Sequence, residues 1–236
     1  MKKNQSILVL LGSILVIILI LVYFIEKEYA PTDNKADVSW NTLSSKSGQI
    51  PVPRGSDQQT ASLILDINKD GLNDFVIASR RSDNAVVWYK RTNNNWQQYI
   101  VEPDNLNIEA GGDYYDIDGD GDLDISFAGD NSSNHIYWWE NPYPEYSESQ
   151  RWQRHTIKTS GSNKHHDQAF GDVDGDGQPE LVYWNQKGTA PGLYVAQFPE
   201  NPKQVTEWTS TKIFNGTDSH EGLAIADIDL DGKLDI

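Results

Sequence analysis

The chain has 236 residues, a formal net charge of −16 and no cysteine. This acidity argues against a nucleic-acid-binding protein, which needs a basic face. The absence of cysteine excludes disulfides and thiolate metal sites, but it does not argue against export, because bound metal ions can also stabilise an exported fold.

An uncharged run of nineteen residues extends from Ile7 to Ile25, directly after a lysine-containing start. As a helix it would span roughly 28 Å, close to the hydrocarbon core of a bilayer at about 30 Å. The lysines before it orient the N-terminus to the cytoplasm and the rest of the chain to the outside. We therefore predict a cytoplasmic stub at residues 1–6 and one transmembrane helix, a signal anchor, at residues 7–25. A cleaved signal peptide is the alternative, but its apolar region is usually shorter, and Glu28-Tyr29-Ala30 is a poor cleavage site.

Residues 26–56 are rich in Ser, Pro, Asn, Asp and Lys. Such a composition is typical of an extended linker, and we predict an extracellular linker here. Within it, Val38-Ser39-Trp40 could form a stray strand that joins the last unit of the folded part.

A nine-residue acidic motif then occurs four times, beginning at Asp66, Asp116, Asp172 and Asp227. Each copy has Asp at position one, Asp or Asn at three, Asp at five, Gly at six and a carboxylate at nine. Calcium takes six to eight oxygen ligands, and alternate residues of a tight loop can all point to one centre, while Gly permits the positive φ of the turn. We predict one Ca²⁺ in each loop, with nearly half of the acidic residues of the chain lying in these loops. The candidate ligands are Asp66, Asn68, Asp70, Asp74, Asp116, Asp118, Asp120, Asp124, Asp172, Asp174, Asp176, Glu180, Asp227, Asp229, Asp231 and Asp235.

An EF-hand begins in the same way but requires a bidentate Glu at position twelve. That position is Ile77, Phe127 and Tyr183 in the first three copies. Apolar, β-prone residues follow position nine instead, which predicts that each loop joins two strands and that the second strand starts at position nine. The alternative without a metal is that some copies are acidic turns, since Asp-Gly pairs favour turns by themselves.

The four motif copies start 50, 56 and 55 residues apart, and this period predicts a repeat protein. In each unit one strand enters the loop, a second leaves it, a third carries aromatic residues and a fourth begins at Trp96, Trp152 or Trp208. We therefore predict an all-β fold, a β-propeller of four-stranded antiparallel blades, with three complete blades and the start of a fourth in residues 57–236. The periodic tryptophans favour packing between blades over stacking on a carbohydrate.

The D-x-[DN]-x-D-G-x-x-[DE] loops between predicted strands resemble the FG-GAP/VCBS repeat of calcium-binding β-propellers, the repeat type of integrin α-subunit heads. The resemblance covers about residues 60–236. The segments Glu140-Asn141-Pro142, His155-Thr156-Ile157 and His165-His166 more narrowly resemble bacterial propellers related to aldos-2-ulose dehydratase. The resemblance implies a ring of about seven blades that serves as an extracellular binding or enzymatic scaffold. Because three units and the start of a fourth cannot close such a ring, we expect the chain to be part of a longer protein.

Candidate catalytic residues lie seven and six positions before each acidic loop. These register-equivalent pairs are Gln59-Thr60, Glu109-Ala110, His165-His166 and His220-Glu221. In a propeller, equivalent positions on the innermost strands surround the mouth of the central channel. His165, His166, His220 and Glu221 are therefore the candidate catalytic residues, because imidazole and carboxylate groups there could bind a transition metal or act as general acid and base. The alternative is that they are solvated loop residues beside the strand.

The sequence is compatible with two functions. The first is a membrane-anchored calcium-binding propeller, extracellular or periplasmic, that acts as a binding or structural scaffold for a carbohydrate or protein ligand. The second is a sugar or polysaccharide lyase or dehydratase with its active site at the channel mouth. The sequence contains no nucleophile elbow, Walker loop or dinucleotide fingerprint. We favour the first function, because a structural role accounts for all four acidic loops.

Overall fold

The computed structural model describes residues 39–93, 95–148, 150–216 and 221–236. The described residues form three four-stranded antiparallel sheets, each made from four consecutive strands, and a short 3-10 helix at Ser45–Ser47. The predicted all-β fold with three complete four-stranded units is therefore confirmed.

The strands follow one another along the chain without any crossover between sheets. The first sheet contains β1 (Asp57–Leu65), β2 (Asp74–Arg81), β3 (Val86–Arg91) and β4 (Trp96–Glu102). The second sheet contains β5 (Ile108–Tyr115), β6 (Asp124–Gly129), β7 (Ile136–Glu140) and β8 (Gln153–Lys158). The third sheet contains β9 (Gln168–Gly171), β10 (Glu180–Asn185), β11 (Gly192–Ala196) and β12 (Ser210–Phe214).

The acidic loops connect the first and second strand of each sheet. The position-nine carboxylates Asp74, Asp124 and Glu180 are the first residues of β2, β6 and β10. In the fourth copy, Asp235 at the same position forms an isolated bridge with Ala226. Each loop therefore joins two antiparallel β segments, as the apolar residues after position nine predicted.

Two hydrophobic cores hold neighbouring sheets together. Trp138 and Trp139 are consecutive residues of β7, and both are fully buried. Because successive side chains of a strand point to opposite faces, Trp139 packs in the core with Trp88 of the first sheet, whereas Trp138 packs in the core with Leu181 of the third. The second sheet is thus buried on both faces, and its tryptophans serve packing between sheets.

Hydrogen bonds at equivalent positions join the sheets near their outer strands. The Trp152 N–H donates to the carbonyl of Val101 at 3.2 Å, and the Trp208 N–H donates to the carbonyl of Ile157 at 2.8 Å. Near the first strands, Thr60 Oγ1 donates to the carbonyl of Ile108 at 2.8 Å. Strand β5 contacts both β1 and β9, so the first strands of the three sheets are neighbours.

A segment before β1 packs on the first sheet. Tyr89 Oη donates to the carbonyl of Pro51 at 3.2 Å, and Gln98 Nε2 donates to the carbonyl of Val52 at 3.1 Å. The end of the predicted linker therefore contacts the folded part. Ser39 and Trp40, the described residues of the predicted stray strand, belong to no strand, and Trp40 is 91% exposed.

Among the residues that the structure describes, no helix has the length and apolar character needed to cross a membrane. The predicted transmembrane segment at residues 7–25 lies outside the described residues, as do the predicted cytoplasmic stub at 1–6 and Val38.

Candidate functional site

The second acidic loop is closed by hydrogen bonds from its own backbone. Asp116 Oδ2 accepts from the N–H of Gly121 at 3.0 Å, and Asp118 Oδ1 accepts from the N–H of Asp120 at 3.1 Å. Gly121 has a φ of 93°, a left-handed conformation that glycine adopts without strain. The carboxylates at positions one and three of the loop are thereby held on the inner side of a tight turn.

The position-nine carboxylate connects this loop to the sheet. Asp124 Oδ2 accepts from the N–H of Ile117 at 2.9 Å, and Asp124 Oδ1 accepts from the N–H of Asn141 at 2.8 Å. The side chain is buried, and burial raises the pKa of Asp124 to about 8. The loop thus places a carboxylate where an ionised form is unfavourable without a compensating positive charge.

The third and fourth loops repeat this geometry. Glu180 Oε2 accepts from the N–H of Val173 at 3.0 Å, and Asp235 Oδ2 accepts from the N–H of Ile228 at 3.0 Å. At position one, Asp172 Oδ2 accepts from the N–H of Gly177 at 3.0 Å, and Asp227 Oδ2 accepts from the N–H of Gly232 at 2.9 Å. The same sequence pattern therefore produces the same backbone turn in successive repeats.

Carboxylate oxygens converge in the second, third and fourth loops. One oxygen from each of positions one, three and nine lies within 4.8 Å of the other two. The three groups are Asp116, Asp118 and Asp124; Asp172, Asp174 and Glu180; and Asp227, Asp229 and Asp235. Three convergent carboxylates are the kind of ligand set that a hard divalent cation such as Ca²⁺ prefers.

The first loop differs at position three, which is Asn68. The side-chain amide of Asn68 donates to Asp70 Oδ2 at 2.8 Å, and Asp74 Oδ1 accepts from the N–H of Arg91 at 2.6 Å. Burial raises the pKa of Asp74 to about 6. This loop keeps the turn and the buried position-nine carboxylate, but it offers one negative charge fewer than the second.

The position-five carboxylates have a different role in the turn. In each loop, the Oδ1 atom of this Asp accepts from the N–H two residues later, at 2.8 to 3.1 Å. The residues are Asp70, Asp120, Asp176 and Asp231. The structure thus assigns these carboxylates a role in the turn, and their prediction as metal ligands stays a prediction.

The burial of carboxylates in the second loop further tests whether the loop suits a bound cation. The Asp118 side chain is only 2% exposed, and Asp116 Oδ1 is buried without a hydrogen-bond partner. Buried carboxylates are costly unless a positive charge or hydrogen bonds balance them. The convergent oxygen donors and the unpartnered Asp116 Oδ1 are therefore compatible with a bound divalent cation.

Three of the residues six or seven positions before the acidic loops lie together. His166 Nε2 lies 3.5 Å from Glu109 Oε1, and His166 Nδ1 lies 3.5 Å from Glu221 Oε1. Burial raises the pKa of Glu109 to about 7, whereas burial and nearby Lys164 lower the pKa of His166. Residues from the second, third and fourth repeats thus form one cluster.

Sequence reasoning missed two further members of this cluster. Arg80 pairs through Nη2 with Glu109, and its Nε lies 2.9 Å from Asp130 Oδ2. Both residues occupy the same position relative to the start of their acidic loops, Asp66 and Asp116. This shared register is the signal that could have identified them.

The structure places His165, another predicted catalytic residue, elsewhere. His165 is fully buried, and its Nδ1 donates to the carbonyl of Gly129 at 2.8 Å. Its environment is part of the core rather than of the cluster around His166. Gln59 is exposed, and His220 lies outside the described residues.

A protein-family model for the FG-GAP-like repeat matches the chain twice, at residues 116–183 and 172–236. The two matches together span just over half of the chain and include the second, third and fourth acidic loops. A search of the curated proteins found no match to the chain. These results give no support to the narrower resemblance to aldos-2-ulose dehydratase. The repeated loop geometry and both matches show that the chain belongs to the FG-GAP-like repeat family.

Proposed function

We propose that the chain is a calcium-stabilised, β-propeller-like domain that serves as a binding or structural scaffold outside the cell. The observation that carries the proposal is the convergence of three carboxylate oxygens at the same register in the second, third and fourth loops. Calcium binding to such a loop would neutralise buried carboxylates and fix the connection between the first two strands of a sheet. The proposed ion is therefore structural, one in each loop.

The propeller-like arrangement is supported by the contacts between sheets. The first strands β1, β5 and β9 are neighbours, and each sheet packs on the next through a buried aromatic core. The bond from Trp152 to Val101 recurs between Trp208 and Ile157, so successive sheets are joined in the same way. Blades of a β-propeller are four-stranded antiparallel sheets related by such a repeat.

The location of the domain is proposed from sequence alone. The apolar run at residues 7–25 would be the membrane anchor, residues 26–56 the extracellular linker and residues 57–236 the partial propeller. The membrane is then one partner, and the ligand outside the cell is a carbohydrate or a protein.

Thermal unfolding of the purified full chain tests the calcium proposal. In chelator, the midpoint should fall by several degrees or more relative to saturating calcium, and calcium should restore it. Replacement of Asp118 and Asp120 together by alanine should reduce the calcium-dependent gain. A matched control replaces the exposed Asp57 and Asp83, which lie outside the loops, and should keep the full gain. A midpoint that is the same in calcium and chelator would refute the structural role of the ion.

A second candidate function is acid–base catalysis on a sugar or polysaccharide. The observation in its favour is His166, which lies between two carboxylates and close to the Arg80 pair with Glu109. The two ring nitrogens face different carboxylates, an arrangement suited to proton transfer rather than to chelation of one transition metal. A lyase would form an unsaturated product from polygalacturonate, measurable by ultraviolet absorbance, and His166→Ala would abolish it. The absence of product with the wild-type chain would remove the support for activity on this substrate.

A further inference from the structure

The second acidic loop contacts a positively charged side chain from the neighbouring sheet. Lys203 lies in the connection between β11 and β12, and its Nζ is 2.6 Å from Asp118 Oδ2 and 2.9 Å from Glu140 Oε1. Asp118 occupies position three of the loop, and its side chain is almost completely buried. The ammonium group therefore binds a carboxylate of the candidate calcium site.

The other loops lack this feature among the described residues. There, no lysine or arginine side chain forms an ion pair with Asp174 or Asp229, the position-three carboxylates of the third and fourth loops. Lys233 lies in the fourth loop itself, but its contact with Asp231 is made by its backbone N–H. The contact of Lys203 with Asp118 thus distinguishes the second loop from two loops with the same ligand pattern.

We propose that Lys203 competes with calcium for the second loop and makes it a weaker calcium site than the third and fourth loops. This inference rests on the calcium binding proposed above. Calcium–oxygen distances are about 2.3–2.6 Å, so an ion bound to Asp118 Oδ2 would lie within roughly 5 Å of the ammonium. Two positive charges at that distance repel each other, and more strongly beside a buried carboxylate than in water. Calcium must therefore displace Lys203 from Asp118 or bind against its charge.

The structure also gives Lys203 a role in the absence of calcium. Its single charge lies between Asp118 and Glu140, which belong to the second sheet, while Lys203 itself belongs to the third repeat. The ammonium therefore places one positive charge between these two carboxylates and ties the loop to the next repeat, and we expect it to offset part of their charge when no calcium is bound. Exchange of Lys203 for calcium would replace a link between repeats by a link within the loop.

Calcium titration of the purified full chain, in competition with a chelating dye, tests the competition. In Lys203→Met, we expect the calcium ion of the second loop to bind about three- to tenfold more tightly than it does in the wild type. The control Lys187→Met removes one exposed positive charge from the third repeat without contact to a loop carboxylate, and it should resemble the wild type. Unchanged or weaker binding in Lys203→Met would overturn the inference.

A second variant assigns the affected site. Asp124→Asn removes the position-nine charge of the second loop, so the gain from Lys203→Met should disappear when the two substitutions are combined. Persistence of the gain would show that Lys203 acts on another loop and would also overturn the inference. A wild-type chain that binds no calcium would instead refute the proposed function, which is a separate outcome.

Stability provides a readout that does not depend on the titration. In chelator, Lys203→Met should unfold at a lower temperature than the wild type, because Asp118 and Glu140 lose their counter-charge. In saturating calcium the two midpoints should agree. If Lys203→Met does not fold, Lys203→Gln, which keeps an N–H donor for Asp118 without the charge, replaces it in every measurement. Equal midpoints in chelator would contradict the role of Lys203 as a replacement for the ion.

Discussion

The carboxylate of Glu102 lies 2.6 Å from Nη1 of Arg154, and the pair joins the end of β4 to β8 in the next sheet. Glu102 is fully buried, and Arg151 Nη2 lies 2.6 Å from its other oxygen. The indole N–H of Trp139 donates to the same carboxylate at 3.2 Å. One glutamate at the end of the first sheet therefore binds three side chains of the second.

Replacement of Glu102 should destabilise the contact between these two sheets. In Glu102→Ala, the buried Trp139 N–H loses its partner, and the two arginines keep only Asp104 Oδ2, which lies 3.0 Å from Arg151 and 3.8 Å from Arg154. Because both arginines are partly exposed and can turn to solvent, we expect a loss of about 3 kcal/mol, near the lower end for a broken buried ion pair. Urea unfolding in saturating calcium measures this loss. Glu145→Ala removes an exposed glutamate from the connection between β7 and β8, and it should change the free energy of unfolding by less than about 0.5 kcal/mol.

Asn141 connects the first and second acidic loops. Its side-chain amide donates to the carbonyls of Ile67 and Leu123, both at 3.1 Å, and its Oδ1 accepts from Tyr146 at 3.0 Å. Asn141→Ala removes the donor of the Leu123 carbonyl and leaves the Ile67 carbonyl only its bond from Tyr146 Oη at 3.1 Å, so we expect a loss of about 2 kcal/mol in the free energy of unfolding.

The third repeat offers a matched control for this substitution. Asn201 also precedes a proline in the connection before the fourth strand, but it is exposed. Asn201→Ala should therefore alter the free energy of unfolding by less than about 0.5 kcal/mol. Equal effects of the two substitutions would show that the bonds of Asn141 to the loop carbonyls contribute little.

The sequence was sufficient to predict those features that depend on local pattern. The turn of each acidic loop follows from glycine at position six and from side-chain acceptors placed two and five residues before backbone donors. The strand that begins at Asp124 follows from the alternating apolar residues after it. Because such signals repeat in each unit, the four-stranded order of each sheet could also be predicted.

Features that depend on contacts between repeats could not be predicted in the same way. Lys203 reaches Asp118 across more than eighty residues of sequence, and Arg80 reaches Glu109 from another sheet. His165 and His166 are adjacent in the segment before β9, yet His165 lies in the core and His166 lies in a charged cluster. Only the packing of one sheet on the next determines which side chain faces which way.

Acid should destabilise the protein through His165. Burial, followed by the charge of Lys158, lowers the pKa of His165 to about 3 from an ordinary value near 6.5. Between these values the unfolded chain takes up a proton that the folded chain does not, so stability falls as the pH decreases through this window. The slope from this residue is at most about 1.4 kcal/mol per pH unit.

Replacement of His165 isolates this contribution. His165→Asn keeps an N–H donor for the carbonyl of Gly129 but does not titrate. At constant calcium, we expect its free energy of unfolding to decrease less steeply than that of the wild type between pH 6.5 and pH 5. Parallel pH dependence of the two proteins in urea unfolding would show that His165 accepts a proton in the folded state.

The segment before β1 gives the last prediction. Gln98 Nε2 donates to the carbonyl of Val52 and to Tyr89 Oη, at 3.1 and 2.9 Å. It helps to hold residues 51–55 on the first sheet, together with Asn84 and Ser82, which donate to the carbonyls of Arg54 and Gly55. Gln98→Ala should release the segment and increase tryptic cleavage after the exposed Arg54 by about fivefold, since loss of one such bond costs about 1 kcal/mol. The cleavage rate is measured by mass spectrometry of the released peptide. Gln97→Ala, at the next position of the same strand, removes an exposed side chain and should leave the rate unchanged. If Gln98→Ala is cleaved no faster than Gln97→Ala, residues 51–55 behave as part of the predicted linker and not as part of the first sheet.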